Sequence, residues 1–203
     1  MIRELIVELC APTLAGIKTG NLFAIREREE KLRNELRELN SMFVAKGLRL
    51  IPMERSDGST LIYLYRPQML EEDLANPEAE EILSDMGYPK ECANCRLGQL
   101  VRRMRSKNGF PHEIGLFLGY PPSDVSGFMR SSSEGVKCVG CWKVYGNEEE
   151  AQNTFRRYEK CTAVYRKLAQ RGKSLESLIV SKDGMAESRG AMERLQLRKE
   201  AFL

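Results

Sequence analysis

The sequence predicts an α+β fold, with a small antiparallel sheet, surrounding helices and a helix-turn-helix-like corner, and three observations carry that prediction. Two β-rich segments, "LRLIPMER" and "TLIYLYRP", flank "SDGS", where Asp57-Gly58 is a hairpin signal. On both sides of this hairpin, apolar residues recur at steps of three and four, the spacing of one helical face. The stretch "FPHEIGLFLGYPPSDVSGF" puts prolines and glycines where one helix starts, stops and turns into another.

The elements follow in order. The first ten residues read as a short helix, and Asn21 to Arg26 as a strand. From Glu27 to Ala45, the residues Leu32, Leu36, Leu39 and Phe43 make a helical stripe that Gly47 ends. Pro52 has no N–H for a ladder, so its strand belongs at an edge or a bulge. Short helices are expected from Gln68 to Leu74 and from Pro77 to Met86, and residues 95 to 106 set Leu97, Leu100, Val101 and Met104 on one face. "KCVGCWKVYG" reads as another strand, after which Asn147 or its neighbour caps a long helix with the stripe Ala151, Phe155, Tyr158, Thr162, Tyr165 and Leu168. Residues 1–172 are expected to form one α+β domain, and residues 173–203, where periodicity gives way to charge, a mobile C-terminal extension.

With 203 residues, 42% hydrophobic and 30% charged, the chain can bury a substantial core. No apolar run approaches the roughly 20 residues that span a bilayer, and "MIRELIVELC" carries charge through what would be a signal peptide's apolar region. A cytoplasmic location without a membrane partner is the expectation. Six cysteines there point to thiol, metal or redox chemistry before structural disulfides. A net charge of +3 does not by itself announce a nucleic-acid binder, although "RRMRSK" is locally basic.

At the corner, Pro111 is the expected first helical residue, with Asn108 or a neighbour as cap, Gly119 as the stop and Pro121 as a block to continuation. Pro122, Ser123 and Asp124 suit a second helix's first turn, and Val125, Phe128 and Met129 its buried side. The order is similar to the bacterial helix-turn-helix, with Gly115 where the helices approach. One alternative function is therefore a DNA-binding regulator in which Arg102, Arg103, Arg105 and Arg130 meet phosphates. Against it, the second helix offers Asp124 and flexible Gly127 to the bases. Another alternative is a structural interaction module whose corner docks a protein.

Cys92, Cys95, Cys138 and Cys141 form two C-x-x-C pairs, the ligand arithmetic of a four-thiolate zinc site. Strand alternation would aim Cys138 and Cys141 to opposite faces unless Gly140 makes a bulge. His112 is the chain's single histidine, and a neutral imidazole offers a lone pair to zinc, iron or haem iron. His112 and its neighbour Glu113 are thus the cofactor-binding candidates. Cys10 and Cys161 lie among apolar helix positions, where burial is expected. No nucleophile motif surrounds any cysteine, and "GIKTGN" lacks the phosphate-loop spacing, so no catalytic residue is assigned.

"CAPTLAGIKTGNLF", "FPHEIGLFLGYPPSDVSGF" and "CWKVYGNEEEAQNTFRRYEKC" together resemble a bacterial, mainly clostridial, family known only as a domain of unknown function. The resemblance spans most of the chain to about Leu168. It implies that His112, Glu113, Gly119, Trp142 and Tyr145 belong to a family motif, that the protein is a cytoplasmic single domain, and that a redox protein is a fitting partner. The expected function is a metal-linked (zinc or iron) or redox accessory protein without free-standing catalytic activity.

Overall fold

A computed structural model of the chain describes residues 2–25, 29–54, 59–106 and 109–181. The Asp57-Gly58 turn, Arg26, the Leu32 side chain, the Asn108 cap and the chain from residue 182 lie outside the described residues.

A three-stranded antiparallel sheet in the order β1-β3-β2 organises the molecule: β1 is Gly20–Ile25, β2 Arg49–Glu54 and β3 Thr60–Tyr65. Ile62 in β3 stands opposite Phe23 on one side and Pro52 on the other. Pro52 therefore sits on an edge strand, where its missing N–H leaves no ladder bond unmade. From Leu61 to Tyr65 every residue of β3 is buried, because helices cover both faces. Alternation along β3 thus selects which core a side chain joins: Ile62 and Leu64 enter one, and Leu61, Tyr63 and Tyr65 the other.

The first face is covered by α1 (Ile2–Leu14), α2 (Glu29–Ala45) and α8 (Glu148–Gln170). Leu36, Leu39 and Phe43 of the predicted α2 stripe are buried there. Helix α1 runs past the predicted ten residues to Leu14, since Ala11, Thr13 and Leu14 are all buried. Its end is closed by Arg66, itself 2% exposed, whose Nε donates to the Thr13 carbonyl at 2.7 Å and whose guanidinium also donates to Leu14 at 2.7 Å and Val180 at 2.8 Å. The last carbonyls of a helix lack intrahelical partners, and a cation suits that end of the dipole. Beyond Gly172 a short 3-10 turn, Glu176–Leu178, brings Leu175, Leu178 and Ile179 into the same core.

On the second face lie α3 (Pro67–Leu74), α4 (Pro77–Asp85), α5 (Ala93–Arg105), α6 (Ile114–Phe117) and α7 (Pro122–Arg130). Leu97, Leu100 and Met104 of α5 are buried as their spacing predicts. At the corner the structure departs from the helix-turn-helix expectation. Its first arm is the single turn α6, preceded by 3-10-type bonds such as Gly115 N–H to the His112 carbonyl at 3.2 Å. Its second arm, α7, buries Asp124, Val125 and Gly127 against α4, α6 and a following hairpin. The turn between them needs Gly119, which has φ of 75° and would push a Cβ to 2.7 Å from the Thr19 hydroxyl.

"KCVGCWKVYG" is not one strand. It folds back as the two-residue strands β4 (Cys138–Val139) and β5 (Lys143–Val144), with the Gly140 N–H donating to the Trp142 carbonyl at 3.0 Å. Val144, Ala151 and Phe155 make a small third core behind it, and Asn147 caps α8 by accepting the Glu150 N–H at 3.2 Å. Among the described residues no helix is long and apolar enough to cross a membrane.

Candidate functional site: an aromatic pocket at the corner

His112 and Glu113 are adjacent in sequence and opposite in fate. Glu113 is 1% exposed and receives the Arg103 Nε at 2.7 Å and the Tyr88 hydroxyl at 2.8 Å. A carboxylate buried without such partners would be costly, so these two bonds are what allow it inside. Burial first, and then the Glu113 carboxylate, raise the Tyr88 pKa far above its ordinary value, which keeps the hydroxyl a donor. His112 is exposed, with its ring edge-on to Phe128 at 5.0 Å and 6.0 Å from Phe110. Among the described residues no hydrogen bond ties its ring nitrogens. Glu113 is therefore held inside the corner by Arg103 and Tyr88, while the His112 ring stands exposed beside Phe110 and Phe128.

The cavity that His112 borders has a volume of about 330 Å³. Phe110, His112 and Phe128 form one aromatic wall, and Tyr120 and Trp142, stacked at 4.8 Å, form the other. Gly115 lets the walls approach, because a Cβ there would fall 2.7 Å from Val125 Cγ2 and 3.2 Å from the Tyr120 ring. Trp142 is aimed by Asp124, whose Oδ2 accepts the indole N–H at 2.6 Å while Oδ1 accepts the Tyr145 and Gly146 N–H groups at 2.8 and 2.7 Å. Asp124 thus pins one side of the "CWKVYG" hairpin to α7. At the pocket's edge Lys143 donates to the Ser132 carbonyl at 2.6 Å and lies 5.6 Å over the Phe128 ring. Such a site suits a planar apolar body with a polar or anionic edge.

Behind Tyr120 a second cavity, of about 420 Å³, is bordered by Lys18, Cys141, Tyr158 and Glu159. Lys18 is 4% exposed and donates to the carbonyls of Gly20 and, at 3.0 Å, of Leu118. Tyr63 donates to the neighbouring Phe117 carbonyl at 2.5 Å, so the end of α6 is closed by two buried side chains. Burial pulls the Lys18 pKa down to about 8, against Cys10, Cys141 and Asp73, which push it back up. Its ammonium is committed to backbone, which explains "GIKTG" as a structural knot.

The predicted metal ligands do not meet. Cys92 and Cys95 stand at the start of α5, Cys138 lies half-buried in β4, and Cys141 is exposed in the hairpin turn beside Lys18. Among the described residues no group of three or more histidine, cysteine or carboxylate side chains is arranged to hold a metal ion. The hairpin is the physical reason, since folding at Gly140 carries Cys141 toward the second cavity. Cys10 is buried and Cys161 half-buried, and burial pushes their thiols up to about 12 and about 11.

Of the cations proposed for DNA, Arg102, Arg103 and Arg105 share the last turn of α5. Arg103 is paired with Glu113, and Arg102 is bonded to Gln99 at 2.8 and 3.1 Å. Arg105 is exposed, while Arg130 borders a surface hollow with Glu78, Glu81 and Asp85, a setting that repels phosphate. Sequence reasoning missed Asp124, Trp142 and Lys143 as parts of the pocket. The available signal was the chain's only tryptophan beside a lysine.

No curated protein and no solved structure matches the chain. A family model described as "Protein of unknown function (DUF3793)" matches residues 6–179, and the chain belongs to that family.

Proposed function

We propose that the protein is a cytoplasmic accessory protein that binds a planar, largely apolar cofactor in the corner pocket and has no free-standing catalytic activity. The observation that carries this reading is the pair of aromatic walls facing one cavity of about 330 Å³, with His112 and Lys143 supplying its polar edge. That volume falls at the small end of cofactor-sized sites. A redox cofactor fits the class because stacking on Trp142 and Tyr120 holds a planar ring system without consuming its edge. Zinc or iron would enter the reading only if carried by such a cofactor, to which the exposed His112 ring would offer a nitrogen. Glu113 acts by fixing the backbone that carries His112, not by touching the ligand.

Trp142 is the chain's only tryptophan, so its fluorescence reports occupancy of the pocket without a label. Anilinonaphthalene sulfonate, an aromatic anion, is expected to quench Trp142, with affinity falling about tenfold in Lys143→Ala and His112→Ala. Protein purified anaerobically is expected to carry a stoichiometric organic ligand by native mass spectrometry. An empty protein whose Trp142 emission ignores the probe would sink the proposal.

A further inference from the structure

Two thiols at the start of α5 serve neither the pocket nor the core. Cys92 is the N-cap residue, and its Sγ accepts the Cys95 N–H at 3.2 Å while the two sulfurs lie 2.6 Å apart. Both are exposed. Helix α5 is 13 residues long, and its N-terminal N–H groups favour negative charge on an atom placed there. The segment that delivers Cys92 is fastened from behind by Arg96, which is 5% exposed and donates to the Pro89 carbonyl at 3.1 Å, the Leu74 carbonyl at 2.5 Å and Glu80 at 2.9 Å. An accessible sulfur pair is thereby mounted on a fixed base.

The two thiols are also differentiated. Hydrogen bonds from Cys95, by side chain and then by backbone, draw the Cys92 pKa below its ordinary value, and the same contact raises that of Cys95. Cys138 and Cys141 are shifted the other way, upward by burial. Cys92, whose Sγ accepts an N–H at the helix start, is thus the thiol placed for attack, with the second sulfur in contact behind it.

We propose that Cys92 and Cys95 form a dithiol exchange site that reduces an accessible disulfide, with Cys92 as the attacking thiolate and Cys95 as the resolving thiol. Cys92 Sγ attacks one sulfur of R–S–S–R, forming a mixed disulfide and releasing RS⁻, which takes up a proton. Cys95 then loses its proton and attacks Cys92 Sγ, closing the Cys92–Cys95 disulfide and releasing the second RSH. Two electrons and two protons pass from the protein to the substrate disulfide. The assignment is independent of the corner pocket and survives if no cofactor binds there.

The test uses the reduced full-length protein with glutathione disulfide in one arm and insulin in the other, acid-quenched and mapped by mass spectrometry. Wild type is expected to close Cys92–Cys95 and release two thiols per protein. Cys95→Ser is expected to stall as a mixed disulfide on Cys92, and Cys92→Ser to react about tenfold more slowly or less. Cys138→Ser and Cys141→Ser should behave as wild type. Reaction with insulin points to a protein disulfide as the substrate, and reaction with glutathione disulfide alone to a small one. Both positions are exposed, so folding is not at stake, and iodoacetamide alkylation supplies a second readout. No Cys92–Cys95 bond in either arm, or alkylation of Cys92 no faster than of Cys138, would overturn the proposal.

Discussion

Helices pack on both faces of the sheet, yet the two faces are built to different ends. On the first, α1, α2, α8 and the segment ending at Ile179 enclose aliphatic side chains and Phe23 and Phe43, and the buried guanidinium of Arg66 is bound to three carbonyls. On the second, Tyr63, Tyr65, Tyr88 and Phe117 replace much of the aliphatic packing, Glu113 is buried, and the helices stop short around the corner pocket. The contrast teaches where function can sit. The buried guanidinium of the first face is committed to closing a helix end, whereas the second face leaves His112 and the edge of Lys143 beside an unfilled aromatic space.

The sharpest way to break the comparison is at Arg66. Arg66→Ala removes donors from the buried carbonyls of Thr13, Leu14 and Val180, and a loss of about 4 kcal/mol is expected in urea unfolding. Arg66→Lys should recover only part of it, because one ammonium cannot reproduce the guanidinium's fork. Quenching of Trp142 by the pocket probe should be unchanged in whatever fraction remains folded. A parallel loss of probe affinity would show that the two faces are not separate in function.

Glu113 is the matching site on the second face, with a smaller expected effect. Glu113→Ala strands the Tyr88 hydroxyl and the half-exposed Arg103, for a loss of about 3 kcal/mol, while Glu113→Gln keeps an acceptor for Tyr88 and costs about 1–2 kcal/mol. If Glu113 acts only as an anchor, Glu113→Gln leaves pocket affinity within about twofold of wild type, in contrast to His112→Ala. Equal losses in both variants would return Glu113 to the ligand site.

The difference between the faces also marks how far the sequence was legible. Regular elements were: the α2 stripe, the 49–65 hairpin with Pro52 at an edge, the α5 face and the Asn147 cap all declare themselves through period or turn chemistry. What escaped were features decided by single long-range contacts. Leu175, Leu178 and Ile179 make too short a group to show a period, and their burial follows from the grip of Arg66 on Val180. "KCVGCWKVYG" has the composition of one strand, and its hairpin is held in part by Asp124, 18 residues from Trp142. The two C-x-x-C pairs show the same limit. Identical spacing gives a sulfur pair in contact on a helix start at Cys92 and Cys95, and on a hairpin one half-buried thiol, Cys138, and one exposed beside the second cavity, Cys141.

The smallest expected effect, and the one most specific to the seam between the faces, is in the alkaline range. Burial holds Lys18 at about 8 when folded, against an ordinary 10.5, so the unfolded chain binds the extra proton between those values and stability rises with pH from about 8. Cys10, packed in the first core, has the opposite sign. Its thiol is pushed from 9.0 to about 12 by burial, the folded chain holds the proton longer, and stability falls as pH rises above 9. Tyr120 and Tyr165, each pushed up to about 12 by burial, add to that fall above pH 10. A shallow stability maximum near pH ~9 is the expected outcome of urea midpoints taken from pH 7 to 11. Lys18→Met keeps the alkyl stem and should erase the rising limb, whereas Cys10→Ala should delay the falling one. A wild-type profile with no rise between pH 8 and 9, or a Lys18→Met profile that retains it, would mean that the Leu118 and Gly20 carbonyls hold the ammonium charged more firmly than burial discharges it.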